Sequence, residues 1–142
     1  MMNIDKKILT TITTEIRESR LQAAIEVNKA MLQLYWRIGR VISELEENGY
    51  SLDQLISHLA REFENIYSVT ISFSDDNLDY MYRFYKAYPD IDKVQAVLAQ
   101  LPWGYHRLLL EDVETFKERI YYTRLAIDYG WGLECLKAKI LA

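Results

Sequence analysis

Residues 24–45 read AIEVNKAMLQLYWRIGRVISEL, and the spacing of their apolar side chains decides the fold. Ala24, Val27, Met31, Leu34, Ile38, Val41 and Leu45 alternate steps of three and four, which sets them on one face of an α-helix as a heptad seam. Tyr35 and Ile42 widen the seam into a stripe broad enough to face the core of the chain's own domain. From Ile4 to Glu47 the only glycine is Gly39 and there is no proline, so a single helix is expected over that span. Gly39, where a helix would favour alanine, marks a close crossing by another helix.

Such a helix is ~65 Å long at 1.5 Å per residue, whereas a compact domain of this size has a radius of gyration of ~14–15 Å. It must overhang. In the overhang Ile8, Ile12 and Ile16 repeat every four residues before the phase breaks at Ser19-Arg20. These three isoleucines are the expected interface of a homodimer, since a lone chain should not leave such a stripe in water. Residues 1–22 are thus assigned to oligomerisation and 23–142 to a helical domain. A bend near Ser19-Arg20, folding the first turns back on the same chain, is the competing reading, although no glycine or proline is there to make it.

Further helix starts share a signature: an aromatic, then Ser or Gly, then a leucine four residues on. Tyr50-Ser51 leads to Leu55, Phe73-Ser74 to Leu78, Trp103-Gly104 to Leu108 and Trp131-Gly132 to Leu136. The small residue is read as the N-cap and the aromatic and leucine as a hydrophobic staple, with Gln54 completing a capping box on Ser51. Helices are expected from near Leu52, Asp75, Tyr105 and Leu133, with two more over Ile91–Gln100 and about Val113–Asp128. The fold class is all-α, with room for one short strand over the β-branched run at 67–73.

The composition narrows the function. With 142 residues, 50% of them hydrophobic, the chain can bury a core. No apolar run is long enough for a membrane span, and the charged N-terminus is unlike a signal peptide, so a cytoplasmic location is expected. A single cysteine, Cys135, and two histidines, His58 and His106, make no metal-ligand cluster, and neither cofactor nor small-molecule substrate is indicated. Leu133 and Leu136 suggest that Cys135 is buried. The net charge of −4 arises between residues 51 and 100, where four basic residues stand against eight acidic ones. That segment contains Ser72–Leu78, SFSDDNL, a helix start whose Asp75 and Asp76 would repel a phosphate backbone.

Four stretches carry a resemblance: VNKAMLQLYWRIGRVI, FSDDNLDYMYRFYKAYP, LPWGYHRLLL and RIYYTRLAIDYGWGLECLKAKI. Asn28, Tyr35-Trp36, Ile38-Gly39, Phe84-Tyr85, Pro102-Trp103 and Gly130-Trp131 are its most specific residues. In order and spacing, over about residues 20–141, the chain resembles the N-terminal domain of the YhcG-like bacterial proteins, a domain of unknown function. The resemblance implies a helix-turn-helix or winged-helix-like core that associates with DNA, in proteins that usually carry a PD-(D/E)xK nuclease domain as well. No acid-x-Lys triplet follows the one Pro-Asp pair, Pro89-Asp90, so a chain without nuclease chemistry is expected, with no catalytic residues.

It also implies that the helix from Asp75 to Tyr88 is the one presented to DNA. Where family members carry basic residues after the Phe-Ser, this chain has Asp75 and Asp76. Arg83 and Lys86 on that helix, His106 and Arg107 after the LPWG turn, and Arg37 and Arg40 on the long helix are the candidate phosphate contacts. Asp79 and Arg83 are spaced as an i,i+4 ion pair. The tyrosines Tyr35, Tyr85, Tyr88, Tyr121 and Tyr122 fall at helix-face spacings and read as packing residues more than as a stacking platform. The alternative function is a protein-interaction or oligomerisation module that binds no nucleic acid.

Overall fold

The computed structural model describes residues 5–67 and 73–142, which form seven helices and no strand. They are α1 (Lys6–Glu47), α2 (Leu52–Tyr67), α3 (Asp75–Ala87), α4 (Ile91–Leu98), α5 (Trp103–Asp112), α6 (Phe116–Tyr129) and α7 (Leu133–Leu141). The strand expected over 67–73 lies largely outside the described residues; Tyr67 ends α2.

α1 is continuous for 42 residues, with the Asp5 side chain accepting from the Lys7 N–H at its start. There is no bend at Ser19-Arg20, because the polar groups there interrupt the apolar pattern without removing any helical hydrogen bond. Only the C-terminal half is covered. Its buried face is Leu32, Tyr35, Gly39, Ile42 and Ser43. This corrects the heptad seam: Val27, Leu34 and Val41 face water, and the two residues that widened the seam, Tyr35 and Ile42, lie at the centre of the contact. The domain covers the side of the helix bearing the large aromatic and the glycine, where approach is closest.

α3 makes the most extensive contact with α1. At the crossing a Cβ on Gly39 would overlap the Met81 carbonyl and lie 3.0 Å from Tyr85 Cβ, so the absence of a side chain sets the interhelix distance. Around it Leu32, Tyr35, Ile42, Leu78, Met81, Phe84, Tyr88, Ile91, Leu98 and Trp103 form the main core, with Trp103 edge-on to Tyr35 and Phe84. A smaller core of Leu101, Leu109, Val113, Ala126 and Leu136 joins α5, α6 and α7.

Four helix starts follow the sequence reading: α2 at Leu52, α3 at Asp75 with the Ser74 hydroxyl accepting from Asn77 N–H, α4 at Ile91, which ends at Leu98 instead of Gln100, and α7 at Leu133 behind Gly132. Two do not. α5 starts at Trp103 rather than Tyr105, because Pro102 is the N-cap and Tyr105 N–H bonds its carbonyl. Trp103 therefore enters the main core instead of stapling onto Leu108. α6 starts at Phe116 rather than Val113; Thr115 caps it, its hydroxyl bonding Glu118 N–H and the Glu118 carboxylate.

The residues that carry the family resemblance are mostly joints of this fold. Asn28 Nδ2 donates to the carbonyls of Ala99 (2.8 Å) and Leu101 (2.7 Å), tying α1 to the α4–α5 turn. Trp36 Nε1 donates to Tyr88 O at 2.7 Å, and Trp103 Nε1 to Asn77 Oδ1 at 3.2 Å. Gly130 ends α6 in the left-handed conformation, φ 63°, and the next residue's carbonyl accepts from Tyr105. Carbonyls in turns that the core would otherwise strip of water are satisfied by these side chains.

Candidate functional site

The six basic candidates meet different fates. Arg83 is held on the protein: Nη1 lies 2.8 Å from Glu111 Oε2 and 3.9 Å from Asp79 Oδ2, while Nη2 donates to Leu110 O at 2.9 Å. Arg107 joins it. The two guanidinium groups lie 5.1 and 4.5 Å from the Tyr80 ring centre, and Tyr80 donates to the same Glu111 oxygen. Hydrogen bonds from Arg83 and Tyr80 hold the Glu111 carboxyl below its usual range. Burial raises the Asp79 carboxyl; Arg83 opposes this, and Asp53, Asp76 and Glu111 add to it. The start of α3 is thus an acidic face whose nearest arginine is already paired, a poor match for phosphate.

His106 is fully buried, its Nε2 2.7 Å from Leu98 O, and burial lowers its pKa to about 4. The histidine after the LPWG turn is therefore a neutral core residue with no surface for a phosphate. One turn into α5, its side chain points inward because Pro102 starts the helix two residues early. Arg40 sits over Trp36 and 3.8 Å from Glu44 on its own helix. Arg37 and Lys86 are exposed, Lys86 lying over Tyr82. The structure brings Arg83 and Arg107 together and leaves Arg37, Arg40 and Lys86 on the solvent side of the α1–α3 layer.

Cys135 is exposed, contrary to the expected burial, since only Leu136 of its turn points into the core. Arg119 drew no attention in the sequence, yet it is buried, with Nη1 3.1 Å from Val113 O and its guanidinium 5.5 Å from the Tyr88 ring centre. Burial pushes the Tyr88 phenol up to about 12, opposed by Arg119. No group of three or more His, Cys, Asp or Glu among the described residues could hold a metal ion, and no helix is long and apolar enough to cross a membrane.

The dominant feature of the surface is α1 itself. No residue from Lys6 to Val27 is buried. Ile8, Ile12 and Ile16 are 55%, 54% and 47% exposed, and Thr11, Thr13 and Thr14 return their hydroxyls to carbonyls four residues back on the same helix. The threonine hydroxyls of this segment are satisfied locally, while its isoleucines are left exposed by the described residues. Val27, Leu34 and Val41 extend the exposed apolar surface into the half that the domain covers from the other side.

A long helix anchored at one end by six shorter helices, with turn carbonyls held by Asn28, Trp36 and His106, defines an all-α domain. The chain belongs to the DUF1016 N-terminal domain family, whose family model matches residues 11–142, and this is the domain of the YhcG-like proteins. No curated protein and no solved structure matches it.

Proposed function

We propose that this chain is a non-catalytic assembly module that acts as a homodimer, with the apolar stripe of α1 as its working surface. The observation that carries this reading is the half-exposure of Ile8, Ile12 and Ile16 on a helical segment, Lys6 to Val27, none of whose residues the described chain buries. Most helical stability comes from packing an amphipathic face, and an apolar stripe left in water favours association. Equilibrium sedimentation is expected to give a dimer for the wild type and a monomer for the Ile8→Glu/Ile12→Glu/Ile16→Glu variant. A monomeric wild type would overturn the reading, as would a dimer indifferent to the three charges.

A second reading, DNA association through a helix-turn-helix-like core, draws on the exposed Arg37 and Lys86 and on the implied role of the helix that begins at Asp75. The acidic face formed by Asp75, Asp76, Asp79 and Glu111 weakens it. Labelled duplex DNA titrated at two salt concentrations tests it, since a phosphate-driven complex must weaken steeply with salt. Asp75→Lys/Asp76→Lys is expected to tighten any complex made through this helix; no binding by either protein removes the second reading.

A further inference from the structure

The exposed stripe of α1 follows an eleven-residue repeat. Ile12 recurs as Ala23 and Leu34, and Ile16 as Val27 and Ile38, each pair eleven residues apart. The third position of the repeat holds Ser19, Ala30 and Val41. Of these nine residues only Ile38 is half-buried; the others are exposed over the full length of the helix. Eleven residues make three turns at ~3.67 residues per turn, so the stripe runs almost parallel to the helix axis instead of winding around it. A stripe of that kind fits a second straight helix laid alongside.

The edges of the stripe differ in charge over the overhang. One edge carries Glu15 and Glu26, eleven residues apart, with Lys7, Glu18 and Lys29 further round; the other carries Arg20, with Lys6 and Arg17 further round on its side. When two such helices run parallel, the acidic edge of each meets the basic edge of the other. Glu15 then faces Arg20 of the partner subunit, five residues further along, and the two-fold axis makes the pair twice. An antiparallel pair would set acidic edge against acidic edge and basic against basic.

Area calls for the whole stripe. The overhang from Ile8 to Val27 offers a strip ~30 Å long and ~10 Å wide, well short of the ~800 Å² per partner of an ordinary stable interface. Continuing to Leu45 lengthens the strip to ~56 Å, closer to that size, and an in-register parallel pair uses its whole length. The domain leaves most of this continuation open, since it packs on the neighbouring flank through Tyr35, Gly39 and Ile42, touching the stripe at Ile38.

We infer that two copies of α1 pair parallel and in register along the eleven-residue stripe from Ile8 to Leu45, so that both domains stand at the same end of a straight two-helix stalk. This rests on the self-association proposed above. In a Cys135→Ser background, which removes the only cysteine, Ser19→Cys and Ala30→Cys are made singly and oxidised, and disulfide-linked dimer is measured on non-reducing gels. Both are expected to cross-link, because each residue meets its own copy across the axis; antiparallel helices can bring at most one of the two positions together. Sedimentation of Glu15→Arg is expected to show a dimer weakened by roughly tenfold, with recovery in Glu15→Arg/Arg20→Glu. Parent proteins that sediment as monomers overturn self-association and this inference with it. A dimer in which one or neither cysteine cross-links, or which Glu15→Arg tightens, overturns the parallel register alone.

Discussion

Asn28 divides α1 into two halves whose apolar patterns look equally helical and whose surroundings are opposite. After it, Leu32, Tyr35, Gly39 and Ile42 are buried under α3 and its neighbours; before it, nothing is buried. The difference is not hydrophobicity, because the overhang has isoleucines where the covered half has tyrosine and glycine. Shape and polar anchoring distinguish them. Gly39 admits the α3 backbone, and Asn28 and Trp36 hold the carbonyls of two turns, whereas the side-chain hydrogen bonds of the overhang stay within its own helix. An apolar stripe alone does not say what covers a face; small residues and buried donors mark the face that its own domain covers.

The sharpest attack on this contrast is Gly39→Ala. The new methyl group would overlap the Met81 carbonyl, and chemical denaturation should show a loss at the upper end of overpacking costs, ~3 kcal/mol or more. Glu18→Gln in the overhang, off the apolar stripe, should leave the same midpoint unchanged; comparable losses at the two sites would erase the distinction between halves.

Acid should weaken the covered half through His106. Its folded pKa of about 4 lies below the ordinary ~6.5, so between those values the unfolded chain binds a proton that the folded chain does not, and stability falls as pH falls. The full loss is roughly 3 kcal/mol, complete near pH 4 and absent above about pH 7. His106→Gln should be less stable at neutral pH and should lose this slope; an unchanged slope would place the titration elsewhere.

Asn28→Ala leaves two turn carbonyls without their donor and is expected to cost ~2 kcal/mol of unfolding free energy, read from the denaturation midpoint. Since Asn28 marks the junction, hydrogen exchange should quicken in the α4–α5 turn and leave the rate at Ile12 as it was. The smallest effect belongs to Ser74→Ala, which removes the α3 cap and should cost ~1 kcal/mol. No change in midpoint would show that the acidic first turn starts the helix unaided.

Much of the fold was legible where the governing interaction is local. The Ser74 cap and the Gly132 start follow from residues within one turn. Gly39 announced a crossing because glycine in a helix interior needs a reason. The errors at Trp103 and Thr115 were also local and avoidable: a proline next to an aromatic, and a Thr-x-x-Glu box, were both present in the sequence. The basic candidates were less legible. Whether His106 points into the core or Arg83 finds Glu111 depends on the rotation of α5 against α3, and a two-residue change in helix start turns every side chain by more than half a turn.

By itself the sequence determined an all-α chain with one long leading helix, most of its helix starts and its family, because periodicity, caps and glycine positions act over a few residues. Only the tertiary structure decided which side of α1 lies against the domain, that His106 and Arg119 are buried, and that Val27, Leu34 and Val41 join Ile8, Ile12 and Ile16 on an open face. Burial is a property of what lies opposite a side chain, and a helix with two apolar flanks does not say which of them its own domain will cover.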